Sequence, residues 1–118
     1  MDEQKFKDRT KKLGLRVIRL VEALPNNQTG QVIGKQLLRS ATSIGANYRA
    51  ACRAKSTADI LNKLKIVEEE TDETLYWLEL IAEAELIPAT RLRDLMQETD
   101  EIIAMTVASI KTLRQKQS

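Results

Sequence analysis

The sequence predicts an all-α protein, an antiparallel up-and-down four-helix bundle that forms one domain over residues 1–118. Apolar residues repeat at helical spacing in four segments. With only two prolines and four glycines, little of the chain is available for loops. Aromatic residues make up 3% of the chain, so Leu, Ile, Val and Ala must build the core, which suits helix-on-helix packing. Short connections make consecutive helices antiparallel neighbours.

The first helix is predicted over residues 2–24 and the second over residues 27–54. Pro25 interrupts the pattern between them, and Asn26 or Asn27 can cap the second helix. The inward stripe of the first helix is Phe6, Leu13, Val17, Leu20, Val21 and Leu24. The inward stripe of the second is Ile33, Leu37, Ala41, Ile44, Tyr48 and Ala51.

Three glycines lie inside the second helix, at Gly30, Gly34 and Gly45. Each costs up to about 1 kcal/mol of helix stability relative to alanine. Close approach of a neighbouring helix is the simplest explanation, and local weakness in a poorly packed stretch is the alternative. We expect close packing above all at Gly45, which several alanines surround.

The third helix is predicted over residues 56–86 and the fourth over residues 88–114. Ser56 can cap the third helix, and Pro88 follows its end. The third helix has its inward stripe at Ile60, Leu64, Val67, Thr71, Leu75, Leu78 and Ala82. The fourth has Leu92, Leu95, Met96, Ile103, Val107 and Ile110 facing inward.

The composition argues against an enzyme and against a metal or cofactor site. The chain has no histidine, which is the commonest general base and metal ligand. Its one cysteine, Cys52, forms no intramolecular disulfide and fits a reducing, cytoplasmic compartment. The carboxylates of residues 68–73 lack the Glu-x-x-His pairs of di-metal bundles. No apolar run approaches the roughly 20 residues of a membrane span.

Charge is distributed unevenly between the second and third helices. Residues 31–55 contain five basic residues and no acid, whereas residues 56–87 contain two basic and nine acidic residues. At about 100° per residue, four cations share one outward stripe about 27 Å long. These four candidate nucleic-acid-binding residues are Lys35, Arg39, Arg49 and Arg53. Such a stripe can follow a phosphate backbone, or it can be solvated or pair with acids such as Glu69, Asp72 or Glu73.

The third helix carries more apolar residues than one inward stripe needs. Four of them cluster on a second face, and we predict this face to be an oligomer interface: Ile66, Trp77, Leu80 and Ala84. Leu15, Ile18 and Met105 also lie off the inward stripes of their helices. The alternative is an irregular bundle that buries these residues itself.

Residues 36–80 resemble a bacterial four-helix-bundle family that includes proteins encoded in intervening sequences of large-subunit ribosomal RNA genes. The resemblance is carried by Arg39-Ser40-Ala41-Thr42-Ser43-Ile44, Ala46-Asn47-Tyr48-Arg49 and Thr74-Leu75-Tyr76-Trp77-Leu78-Glu79-Leu80. It implies a ring-forming homo-oligomer, typically a homopentamer, and transfers no active site. One related branch, the accessory variability determinant of diversity-generating retroelements, is a basic pentamer that works with a reverse transcriptase and nucleic acid.

Residues and resemblance together predict a non-enzymatic, oligomeric accessory protein that associates with RNA or DNA through the basic face of the second helix. The expected partners are further copies of the chain, RNA or DNA, and a reverse transcriptase or other protein. The alternative is a structural or protein–protein interaction module that binds no nucleic acid.

Overall fold

The computed structural model describes residues 2–117 and contains four α-helices in that part of the chain. The helices are α1 (Glu3–Glu22), α2 (Gln28–Arg53), α3 (Thr57–Glu83) and α4 (Ala89–Gln117). Each helix packs against the next, and α1 also meets α4, so that the four form a rod of 49 × 21 × 21 Å. The predicted all-α four-helix bundle is confirmed. Residues 1 and 118 of the predicted domain lie outside the described residues.

Side-chain caps determine where the first three helices begin. Asp2 accepts hydrogen bonds from the backbone amides of Gln4 and Lys5 at the start of α1. Asn27 accepts one from Gly30 at 2.9 Å, and Ser56 accepts one from Asp59 at 3.1 Å. Each cap satisfies an amide that has no partner within its helix. Of the two asparagines considered as caps, Asn27 is the one that caps α2.

The third helix ends at Glu83, three residues before the predicted end. The chain leaves the helix at Glu85, which has a left-handed backbone with φ of 56°. The amide of Leu86 donates to the carbonyl of Ile81 at 3.0 Å, and that of Glu85 donates to Ala82 at 3.1 Å. These two bonds close a Schellman turn that satisfies the last carbonyls. Helix α4 runs on to Gln117, past the predicted end at residue 114.

The core contains most of the predicted inward residues, but α4 is rotated relative to its predicted stripe. Val107 was expected to face inward, and its exposed fraction is 43%. Thr99, Ile102 and Thr106 are fully buried instead. The two threonine hydroxyls donate to the carbonyls four residues earlier, at 2.8 and 2.7 Å. Because the helix backbone satisfies these hydroxyls, threonine fills core positions much as valine does.

One buried hydrogen bond joins α2 to α3. The hydroxyl oxygens of Ser40 and Thr74 lie 2.9 Å apart, and both side chains are fully buried. Ser40 therefore takes part in a hydrogen bond between two helices. The amide nitrogen of Asn47 instead donates to the Ser43 hydroxyl at 2.8 Å, within α2.

The glycines of α2 differ in how closely other residues approach them. A Cβ added at Gly45 would lie 3.5 Å from the backbone of Thr10 in α1, an ordinary contact distance. A Cβ added at Gly30 would lie 2.0 Å from the carbonyl oxygen of Pro25. Helix α1 thus packs closely at Gly45, as expected, but the tightest position is Gly30, where the neighbour is the α1–α2 turn.

We expect Gly30→Ala to lower the free energy of unfolding by about 1–3 kcal/mol, because the turn backbone must move away from the new methyl group. We expect Gly45→Ala to be neutral or to stabilise by up to about 1 kcal/mol, because alanine favours the helix and its methyl group fits. Urea unfolding of the two variants measures both changes. Equal losses in the two variants would contradict this assignment of the tight position.

Candidate nucleic-acid interface

The outward face of α2 presents four cations in one row. Because α2 is continuous from Gln28 to Arg53, residues spaced by four, ten and four positions return to nearly the same side of the helix. All four predicted binding residues are exposed: Lys35, Arg39, Arg49 and Arg53. The helix therefore displays its positive charge to solvent along most of its length.

Arg39 differs from the other three because carboxylates of α3 hold it. Its Nη1 donates to Oε2 of Glu70 at 2.8 Å, and its Nη2 donates to Glu73. These hydrogen bonds raise the pKa of Arg39 above its ordinary value, with Glu73 the larger cause. Glu73 also accepts from the indole nitrogen of Trp77 at 3.2 Å. The pairing predicted as the alternative is therefore present at Arg39.

The other three cations of the stripe differ from Arg39 in their surroundings. Within residues 2–117, no ion pair is formed by Lys35, Arg49 or Arg53. The two other acids considered as partners, Glu69 and Asp72, are exposed and form no ion pair in that same part of the chain. Uncompensated, exposed cations are the kind that attract a polyanion.

A groove of about 520 Å³ runs between α1 and α2, beside Arg49 and Arg53. Its lining includes small residues of both helices, among them Gly14, Ala41, Thr42, Gly45 and Ala46. Lys7 and Lys11 line it from α1, and the exposed Leu15 and Ile18 line it further along the same helix. The sequence analysis missed Lys7 and Lys11 as site residues. Their spacing of four residues places them on one side of α1, but the packing of α1 against α2 at Gly45 and Thr10, which brings that side to the groove, is seen only in the structure.

The predicted oligomer interface is only partly open to solvent. Ile66, Trp77 and Leu80 are half-buried, whereas Ala84 is exposed at the end of α3. Trp77 packs partly against the core, and its ring meets that of Tyr76 at a centroid distance of 5.2 Å. The bundle thus covers part of this face itself. The exposed large apolar side chains are spread over all four helices: Leu15, Ile18, Val32, Tyr76 and Val107.

The side of the bundle between α1 and α4 is closed by a charge cluster. Arg9 donates to both oxygens of Glu98, at 3.0 and 2.6 Å, and to Glu101 at 3.2 Å. The hydrogen bond to Glu98 is the main cause that raises the pKa of Arg9 above its ordinary value. Nη1 of Arg9 also donates a hydrogen bond to the sulfur of Met105 at 3.1 Å, and Met105 is half-buried against the core. Met105 therefore belongs to the packing between helices and not to a free surface.

In residues 2–117, no group of three or more His, Cys, Asp or Glu side chains is placed to hold a metal ion. Cys52 is half-buried at the core edge, and burial raises the pKa of its thiol. A raised pKa leaves the thiol protonated and weakly nucleophilic. In the same part of the chain, no helix combines the length and the apolar character needed to cross a membrane.

Residues 2–108 match the family model described as 23S rRNA-intervening sequence protein. The bundle is also similar to a crystal structure from Bacteroides thetaiotaomicron VPI-5482, of a protein with unknown function from the S23 ribosomal protein family. That similarity has a TM-score of 0.87 and 40% sequence identity, and covers 94% of this chain and 99% of the other. No curated protein sequence matches this chain.

Proposed function

The chain belongs to the family of 23S rRNA-intervening sequence proteins, and from that membership we propose a non-enzymatic, oligomeric accessory protein that associates with nucleic acid. The contact is made by the outward face of α2 with the phosphate backbone of RNA or DNA. RNA is the first polyanion to test, because the family is described by its connection with 23S rRNA.

The observation that supports this proposal is the row of unpaired cations. Lys35, Arg49 and Arg53 are exposed, and within residues 2–117 no carboxylate forms an ion pair with any of them. Cations in this state release counterions from a phosphate backbone at little cost, because they give up no protein partner. The stripe carries no aromatic side chain on which bases could stack, so the proposed binding is independent of sequence.

Assembly increases the effect of so small a patch. Three cations that form no ion pair within residues 2–117 make a weak site. A ring of identical subunits repeats that site at fixed spacing. We propose a homo-oligomer, with the homopentamer as its expected size, formed in the cytoplasm. A reverse transcriptase, expected from the retroelement branch, is a possible protein partner of such a ring.

Charge reversal on α2 tests the nucleic-acid proposal. We expect Arg49→Glu/Arg53→Glu to weaken RNA binding at least about tenfold at low salt, and to flatten the slope of log affinity against log salt by about 1.4 or more for a single strand. The control, Arg91→Glu/Arg93→Glu, makes the same charge change at exposed positions of α4 and should bind like the wild type. Fluorescence anisotropy with a labelled RNA strand and its duplex, over a salt series, provides the measurement.

The second candidate function is a structural or protein–protein interaction module without nucleic-acid binding. The observation that favours it is the pairing of Arg39 with Glu70 and Glu73, which removes one cation of the stripe from competition for phosphate. No RNA or DNA binding by the wild type at low salt would decide for this candidate. Binding that survives the Arg49/Arg53 reversal would overturn the assignment of the contact to α2.

A further inference from the structure

The groove between α1 and α2 combines close helix packing with a concentration of positive charge. Helix α1 approaches α2 so closely at Gly45 that an added Cβ would touch the backbone of Thr10. Small side chains line this stretch of the groove. Because these side chains are small, the groove leaves room for an extended ligand along the line where the two helices meet.

Cations line the groove from both helices. Lys7 and Lys11 belong to α1, and Arg49 and Arg53 belong to α2. Within each pair the residues are one helical turn apart, a rise of about 6 Å. The acid among the lining residues is Asp8, whose Oδ1 accepts a hydrogen bond from Gln4. The ammonium of the half-buried Lys7 lies 3.4 Å from the carboxylate of the exposed Glu3, a pair at the surface that a competing phosphate can replace at little cost.

From this arrangement we infer that the α1/α2 groove holds one phosphodiester strand, contacted by Lys7 and Lys11 on one side and by Arg49 and Arg53 on the other. The inference rests on the proposed function and deepens it. It places the centre of the site in the groove and no longer on the outward face of α2. It also adds Lys7 and Lys11 of α1 to the site. Four cations against one acid give the groove lining a net positive charge. Charge confined in a concave site focuses the electrostatic potential on a polyanion.

The test is a pair of matched double variants on α1. Lys7→Gln/Lys11→Gln removes the two lysines that line the groove, and Lys5→Gln/Lys12→Gln removes two exposed lysines of the same helix outside it. We expect the first variant to flatten the salt slope of RNA binding by about 1.4 for a single strand and about 1.8 for a duplex. We expect the second variant to keep the wild-type slope. Circular dichroism and light scattering check that folding and assembly are unchanged.

The outcomes separate this inference from the proposed function. If the Arg49/Arg53 reversal weakens binding and the Lys7/Lys11 variant keeps the wild-type slope, the groove inference is overturned and the proposed function stands. If the wild type binds no RNA, both are overturned. If the Lys7/Lys11 variant changes the mass of the assembly and leaves the slope unchanged, the groove is an interface between copies of this chain, formed with its apolar end at Leu15 and Ile18. That result also overturns the inference.

Discussion

Replacing Phe6 by alanine is expected to lower the free energy of unfolding by about 3–5 kcal/mol. The Phe6 side chain is fully buried, and its ring meets Tyr48 edge-on at a centroid distance of 4.5 Å. The substitution removes the ring and leaves a cavity between α1 and α2. A domain of this size has a free energy of unfolding of about 5–15 kcal/mol, so the loss is a large share of it. We expect this loss to lower Tm by about 10–20 °C. Urea and thermal unfolding followed by circular dichroism measure both quantities.

A conservative change at the same position provides the control. Phe6→Leu keeps most of the apolar volume, so we expect it to lose less than about 2 kcal/mol. A near-neutral Phe6→Ala would show that the α1–α2 interface does not depend on this ring. The assignment of Phe6 to the main core would then be wrong.

Two lysines on the outer edge of α3 are expected to break the proposed homo-oligomer into monomers. Ala84 is the exposed member of the predicted interface, and the exposed Tyr76 meets the ring of Trp77, another member. In Tyr76→Lys/Ala84→Lys, each subunit would have to bury two new charges to associate. We expect subunit affinity to fall at least about 100-fold, since unpaired buried charges cost several kcal/mol. Neighbouring acids of α3 favour lysine at these positions in the monomer, so folding should be preserved.

A matched pair of lysine substitutions on α4 tests whether the loss of assembly is specific to α3. Ala104 and Val107 are exposed on α4, and Ala104→Lys/Val107→Lys should assemble like the wild type. Light scattering at micromolar concentration compares the measured masses with the 13.4 kDa of one chain. A wild type that is monomeric, or two variants that dissociate equally, would refute the interface predicted at Ile66, Trp77, Leu80 and Ala84.

The helices could be predicted from the sequence because apolar periodicity and the breaks at Pro25 and Pro88 are local signals. The side of α4 that faces the core in the middle of the helix could not be predicted in this way. Ile103 and Val107 suggested an inward stripe, whereas the core uses Thr99 and Thr106, whose hydroxyls bond to their own helix. A pattern that counts threonine as polar misses such positions. The predicted end of α3 was also wrong. The helix ends early because Glu85 adopts a left-handed backbone conformation that glycine usually occupies.

The candidate site was predictable as far as it lies on one helix. Lys35, Arg39, Arg49 and Arg53 share a face because of helical geometry alone. Which of them has an ion-pair partner depends on the neighbouring helix. Glu70 and Glu73 reach Arg39, and no carboxylate among residues 2–117 forms an ion pair with the other three. The approach of Lys7 and Lys11 to Arg49 depends on how α1 lies against α2, which a single-helix pattern does not contain.

The order in which the helices pack has a consequence for how fast the chain folds. Helices that follow each other in sequence make the extensive contacts, while α1 and α4 meet less closely. Most contacts thus close short loops, and chains of this kind fold in microseconds to milliseconds. The Arg9–Glu98 pair joins residues 89 positions apart, so forming it early would carry a large entropic cost. We therefore expect the contact between α1 and α4 to form late in folding, after each helix has packed against the next one in sequence.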